Sequence, residues 1–386
     1  MKRFLSLCIA FLLMLPAFSQ PAAAVEYNVP CSAKAAVLIE ATTGRILYAK
    51  NENTELPMAS TTKIMSAMLT LEQENLDEYF TVDPQAIKVE GSSMGLVEGD
   101  QVTLRTLAYG MLLPSGNDAA NTAAVRIGGT TEAFVEMMNQ RAADLGLKNT
   151  HFVTPSGLDA EGHHSTARDM AFLARAALKN PDFLAICSSK NAQLEFGNPP
   201  FKRWLKNSNK MLQNYEGAVG VKTGFTDEAG RCLVSAAQRD GVTLICVTLN
   251  DPNDWQDTAD LFDYGFSQVT TRQIPADKAG ELSLTVTGGE QSRCAVVPYG
   301  AATSVVEPSE LATRVHLDRF YYAPVNAGDI VGRVEYLYDG EVVASQQLMA
   351  AETVGQGTAP EPDGGFLASL LRAIDAFIEF IQSFGK

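Results

Sequence analysis

Between residues 33 and 275 the apolar residues gather in short strand-like runs near both ends and recur at helical spacing in the middle. Ala35 to Ile39, a Thr42-Thr43-Gly44 turn and Arg45 to Tyr48 predict a hairpin over 33–50. From Ser60 to about Gln73 the period changes, with Ile64, Met68 and Leu71 on one helical face. Further helices are expected around 103–113, 117–127, 131–145 and 166–179, the last opened by the capping-box variant Thr166-Ala167-Arg168-Asp169. Residues 217–226, 231–238 and 242–250 read as consecutive strands, and a helix from about Asp254 to Phe266 follows. Strands at both ends of a helical middle predict an α/β (α+β) sandwich, with helices packed on a mostly antiparallel sheet.

After Pro275 the texture is different. Short alternating stretches at Leu282–Val286, Val305–Val306, Arg333–Tyr336 and Val342–Val343 are separated by Gly, Asp and Pro, as in a small all-β domain. The expected layout is therefore a first domain over 25–275, a β domain over 276–350 and a linker over 351–365, rich in Gly and Pro from Gly355 onward. A helix over 366–386 ends the chain. Leu367, Leu370, Leu371, Ile374, Phe377, Ile378, Ile381 and Phe384 share one of its faces, while Arg372, Asp375, Glu379 and Gln382 fall largely on the other. Such a helix could pack on a domain, but after a flexible linker it reads better as a membrane-surface anchor. Its charges cancel, so apolar burial would hold it, and it is too polar to span.

The other end carries an export signal over 1–24. Lys2 and Arg3 precede the apolar run Phe4–Leu15, and Pro21-Ala22-Ala23-Ala24 forms a small-residue cleavage site. The expected location is the outer face of the cytoplasmic membrane and the cell-wall space, with peripheral anchoring. Loss of Lys2 and Arg3 moves the net charge from −15 to −17. That balance argues against nucleic acid as a partner and against electrostatic attachment to anionic lipid. Without Cys8, which lies in the signal, five cysteines remain. Cys232 and Cys246 flank an Asp240-Gly241 hairpin turn, and a two-residue loop sets Cys246 against Ser235 and Cys232 against Leu249. The two thiols then point to opposite faces, so buried free thiols are expected.

Three short motifs occur in order: Ser60-Thr61-Thr62-Lys63, Ser115-Gly116-Asn117 and Lys222-Thr223-Gly224. Alone, each is ordinary: a helix cap, an N-cap pair and a surface turn. In S-x-x-K at a helix start, however, a hydroxyl and an amine lie nearly on one face. Ser60 then has a base within reach, provided that burial and the nearby charge of Lys222 strip the Lys63 proton near neutrality. Ser115, on the connection after Pro114, is placed to relay a proton between Lys63 and a leaving amine. Asn117 offers a donor to substrate backbone and an acceptor to Lys63. The Lys222-Thr223-Gly224 strand edge suits an added peptide strand. There Lys222 and Thr223 would receive a substrate carboxylate, and Gly224 would let backbone approach backbone. The N–H groups of Ser60 and Phe225 would form an oxyanion hole. No cofactor or metal is expected. His151, His163, His164 and Asp169 lack the spacing of a zinc motif, and His163-His164-Ser165-Thr166 reads as a loop and helix cap.

With these residues the chain resembles a penicillin-binding D-alanyl-D-alanine carboxypeptidase of the low-molecular-mass serine type. The resemblance extends to Gly91–Leu96, Leu112–Ala120, Pro155–Asp159, His163–Met170, Ala323-Pro324-Val325 and Gly328-Asp329. It implies that Ser60 attacks the D-Ala–D-Ala carbonyl of peptidoglycan stem peptides, with Lys63 as base, and that β-lactams acylate Ser60. Two departures stand out: Phe225 where some members carry His, and Asn207-Ser208-Asn209 where some have Asn-Arg-Asn. Two other readings share the motifs. A class A β-lactamase would want Ser-Asp-Asn and a deacylating Glu, and no E-x-x-x-N lies between Asn117 and Lys222. A non-catalytic penicillin-sensing or wall-binding protein would have no need of the complete Ser60, Lys63, Ser115, Asn117, Lys222 and Thr223 set.

Overall fold

The computed structural model describes residues 29–357 and a helix over Phe366–Ser383. The expected signal segment over 1–24 and most of the expected linker lie outside the described residues. Strands β1 (Ala35–Glu40) and β2 (Ile46–Lys50) form the first hairpin. Helices α1 (Lys63–Leu71), α2 (Leu104–Leu112), α3 (Asn117–Gly128), α4 (Thr131–Asp144) and α5 (Ala167–Ala177) follow. Strands β3 (Ala218–Thr226), β4 (Gly230–Arg239) and β5 (Val242–Leu249) then meet helix α6 (Asp254–Gln268).

The five strands make one antiparallel sheet in the order β2-β1-β5-β4-β3, so the chain ends of this region pair at its centre. All six residues of β1 are buried, because the sheet is covered on both faces. Ala35, Val37 and Ile39 enter the core shared with α1 to α5, while Ala36 and Leu38 enter a second core with Leu261 and Phe262 of α6. Gly265 lets α6 lie close, since a β-carbon there would stand 2.5 Å from Leu38 Cδ2. The expected sandwich is the observed one.

Ser235 pairs with Cys246 as the hairpin register requires, which sends Cys232 into the first core and Cys246 into the second. The described cysteines are free thiols. Elements that were not expected include a short helix Pro181–Cys187, and a hairpin Asn191–Gly197 with Pro200–Lys206 whose residues are mostly exposed or half-buried. One expectation beyond Pro275 is corrected. Val305 and Val306 are not a strand, because Thr303–Ser304 makes the pairing there, with Arg272–Gln273.

Beyond Pro275 a six-stranded sheet surrounds its own core, in which Val286, Val296, Val334, Tyr336 and Leu348 are buried. Along Phe366–Ser383, Leu370, Leu371, Ile374, Phe377 and Ile378 are exposed. No helix among the described residues is long and apolar enough to cross a membrane.

Candidate active site

Ser60 does not open an α-helix. It sits in a 3-10 turn, Ala59–Thr62, and the α-helix begins at Lys63. The local chemistry explains the tightening. Thr61 Oγ1 donates to the Met58 carbonyl at 2.6 Å and Thr62 Oγ1 to the Ala59 carbonyl at 2.8 Å, taking acceptors three residues back. Ala59 holds a left-handed conformation at φ 48°, which turns the chain sharply before Ser60.

The i, i+3 spacing delivers what it promised. Lys63 Nζ lies 2.9 Å from Ser60 Oγ, 2.6 Å from Asn117 Oδ1 and 2.6 Å from the Ser156 carbonyl. Lys63 is wholly buried, and its pKa falls well below the ordinary lysine range. Burial is the largest cause, the charge of Lys222 the second, and Asp118 opposes both. In its neutral form the amine has two hydrogens and one lone pair. Asn117 and Ser156 accept the hydrogens, which leaves the lone pair for the Ser60 hydroxyl proton.

Ser115 and Asn117 come from the connection between α2 and α3. Ser115 is nearly buried and left-handed at φ 68°, and it is not among the three groups bonded to Lys63. Asn117 accepts from Lys63 as expected and gives one amide hydrogen to the Glu90 carbonyl at 2.7 Å, so one hydrogen remains for a ligand. Asp118, a residue that pattern reading passed over, fixes the loop above. It accepts from the backbone N–H groups of Met94, Gly95 and Leu96 at 2.9, 3.1 and 3.0 Å.

The third motif arrives on β3. Lys222 is wholly buried and donates to the Thr223 carbonyl at 2.8 Å, and burial lowers its pKa to about 7. Thr223 Oγ1 lies 2.7 Å from Ser208 Oγ. At Gly224 a β-carbon would stand 3.0 Å from the Met58 carbonyl oxygen and 3.1 Å from the Thr61 nitrogen, so a side chain there would push strand and turn apart by a few tenths of an ångström. Phe225 is 63% exposed beside them. Ser60, Lys63, Asn117, Lys222, Thr223 and Gly224 thus meet where α1, α3 and β3 converge.

Three contributors escaped the sequence reading, two because their part is played by backbone or by glycine and the third because its side chain acts on Thr62 and not on a motif residue. Ser156 supplies only a carbonyl. Gly157, at φ +81°, has no room for a side chain, since a β-carbon would stand 2.0 Å from the Ala59 carbonyl oxygen. His163 bonds to Thr62 Oγ1 at 2.9 Å. The histidines do not gather with Asp169, whose Oδ2 accepts from Asn149 N–H and Thr150 Oγ1. Among the described residues, the ligand atoms of Cys31, Asp251 and Asp257 lie within 4.8 Å of one another. Ser32 closes that group through its amide and hydroxyl, and it shares no residue with the Ser60 cleft.

Residues 21–253 match the family described as D-alanyl-D-alanine carboxypeptidase, peptidase S11, and residues 281–356 match the C-terminal domain of penicillin-binding protein 5. The D-alanyl-D-alanine carboxypeptidase DacF of Bacillus subtilis is 31% identical over 396 residues, covering 98% of this chain and 100% of that protein. DacC of Escherichia coli is 31% identical over 368 residues, covering 88% of this chain and 89% of its own length. Among solved structures, the Streptomyces K15 DD-transpeptidase aligns with TM-score 0.60 at 35% identity, over 62% of this chain and 100% of that one. DacD of Francisella tularensis aligns with TM-score 0.60 at 27% identity, over 86% and 95%. The fold and its relatives are those of serine-type peptidases. This chain belongs to the peptidase S11 family of D-alanyl-D-alanine carboxypeptidases.

Proposed function

We propose that this protein removes the terminal D-alanine from peptidoglycan stem peptides through an acyl-enzyme on Ser60. The observation that carries the reading is the 2.9 Å approach of a wholly buried Lys63 amine to Ser60 Oγ. The Ser60 oxygen adds to the penultimate D-alanine carbonyl as its proton passes to Lys63. The C–N bond then breaks, and the departing D-alanine nitrogen takes a proton, with Ser115 as relay. Water adds to the ester with Lys63 again as base, and Ser60 regains its proton. Backbone N–H groups of Ser60 and Phe225 receive the carbonyl oxygen as charge develops on it.

The substrate lies along β3, with its carboxylate toward Lys222 and Thr223, its backbone over Gly224 and its amide within reach of Asn117. A β-lactam offers the same carboxylate and a strained amide, so it acylates Ser60. Export by the 1–24 signal, the 25–275, 276–350, 351–365 and 366–386 layout, and peripheral attachment through the last helix complete the proposal. The exposed row Leu370, Leu371, Ile374, Phe377 and Ile378 supports that attachment.

The test is release of free D-alanine from a peptide ending in D-Ala-D-Ala by protein lacking residues 1–24. Ser60→Ala is expected to abolish both that release and covalent labelling by fluorescent penicillin. No release by that protein with Ser60 in place overturns the reading, and an active Ser60→Ala overturns its mechanism.

A further inference from the structure

His163 is buried, and its hydrogen bonds identify its tautomer. The Val153 backbone N–H donates to Nδ1 at 2.9 Å, so Nδ1 carries no proton. Nε2 therefore holds the ring's single N–H hydrogen and donates to Thr62 Oγ1 at 2.9 Å. The Thr62 hydroxyl accepts there on one lone pair and donates its own hydrogen to the Ala59 carbonyl at 2.8 Å. Burial, helped by His151 and His164, lowers the His163 pKa to about 4, which keeps the ring neutral in this pattern at neutral pH.

The chain of bonds joins two segments that matter for different reasons. One is the turn Ala59–Thr62, whose left-handed Ala59 presents Ser60. The other is the loop from Val153 to His163, which supplies the Ser156 carbonyl to Lys63 and the Pro155 carbonyl to Ser66 Oγ at 2.6 Å. Gly157 presses that loop directly on the Ala59 carbonyl. The turn that carries the nucleophile and the loop whose carbonyl fixes the base are thus separate stretches of chain, and one imidazole ties them together.

We infer that His163 is a positioning residue for acylation, holding the Ser60 turn, through Thr62 Oγ1, in register with the loop whose Ser156 carbonyl fixes Lys63. This rests on the acyl-enzyme reading above. His163 touches neither reacting group, so its loss acts through misplacement, for which a shift of about 1 Å costs on the order of 10²-fold in rate.

The experiment measures the second-order rate of Ser60 acylation by a fluorescent penicillin, with kcat and KM for D-alanine release alongside. His163→Leu removes both bonds. Its acylation rate and kcat are expected to fall by about 10²-fold with KM changed little. His163→Gln restores an acceptor for Val153 and a donor for Thr62, and is expected within a few-fold of the parent. Thr62→Val cuts the same link from the other end without a large change in volume, so the inference remains testable should His163→Leu not fold. Combined with His163→Leu, it is expected to add no further loss. A parent protein that penicillin never labels at Ser60 defeats the acyl-enzyme reading itself. If the parent is labelled and either His163→Leu or Thr62→Val acylates at the parent rate, the positioning role is overturned. A merely structural histidine would lower the melting temperature and leave the rate constant unmoved.

Discussion

Lys63 and Lys222 are two wholly buried amines of one cleft, and the charge of Lys222 is the second cause, after burial, that keeps Lys63 below the ordinary lysine range. Lys222 itself is brought from 10.5 to about 7 by burial. Because the free enzyme loses the Lys222 charge as pH rises through about 7, its attraction for a substrate carboxylate weakens there. The expected outcome is a limb near pH 7 on which kcat/KM falls with rising pH, read from D-alanine release.

The same amine costs stability, and the sign follows from linkage. In the folded chain Lys222 gives up its proton near 7, in the unfolded chain near 10.5, so the unfolded state binds more protons between those values. Stability is therefore least affected above about pH 10.5 and falls as pH drops toward 7, by at most about 1.4 kcal/mol per unit. Lys222→Met removes this penalty. It is expected to lose activity yet gain stability over the parent, with a gain that grows from pH 10 down to pH 7 in urea melts. A variant less stable than the parent across that whole window would show that the amine is not a liability.

Much of this geometry was legible in the chain, for physical reasons that differ by element. Ala35 to Ile39 and Leu244 to Val247 are unbroken apolar runs, because each strand divides its residues between two cores. Ser60 and Lys63 were found because helical spacing alone brings a hydroxyl to an amine. The 3-10 turn was not legible, since it depends on hydroxyls of Thr61 and Thr62 bonding backward, which no hydrophobic period encodes. The Ser156 carbonyl was invisible because any residue carries one. The Pro181–Cys187 helix is only seven residues long and imposes no clear period, whereas Ala192, Leu194 and Phe196 do alternate in the hairpin after it, a signal that pattern reading passed over. His163 looked like a loop residue, and only its burial against Thr62 reveals what it holds.

Gly157→Ala tests how firmly the loop sits on the nucleophile turn. A β-carbon would stand 2.0 Å from the Ala59 carbonyl oxygen and 2.8 Å from Thr62 Oγ1, and the φ of +81° is itself unfavourable for alanine. Backbone must move, and the turn that moves carries Ser60. Destabilisation of about 1–3 kcal/mol is expected from the overpacking, with a loss of penicillin acylation larger than the lost stability explains. Denaturant midpoints and labelling rates on the same preparation separate the two.

The Ser208 hydroxyl lies 2.7 Å from Thr223 Oγ1. The exposed position leaves room for a longer side chain reaching over the carboxylate end of the cleft. Ser208→Arg is expected to lower KM for D-Ala-D-Ala peptides by about tenfold, since a charge-assisted bond replaces a neutral one. It should leave kcat nearly unchanged, because nothing at Ser60 or Lys63 moves. An amidated peptide lacking the carboxylate provides the control, and an equal KM gain on it would exclude this explanation.

The last helix tests attachment separately from chemistry. Leu370, Leu371, Ile374, Phe377 and Ile378 face solvent, while Arg372 and Lys386 balance Asp375 and Glu379 over 366–386. Apolar burial with no net charge makes binding indifferent to lipid charge and to ionic strength, unlike a basic anchor, whose attraction is screened within about 8 Å at physiological salt. Protein lacking residues 1–24 is therefore expected to sediment equally with neutral and anionic vesicles, at low and high salt. Removal of 366–386 should leave it in the supernatant with D-alanine release from soluble peptide unchanged, since no residue of the Ser60 cleft lies in that segment. Binding that vanishes in high salt would mean that charge, and not this apolar face, holds the protein at the surface.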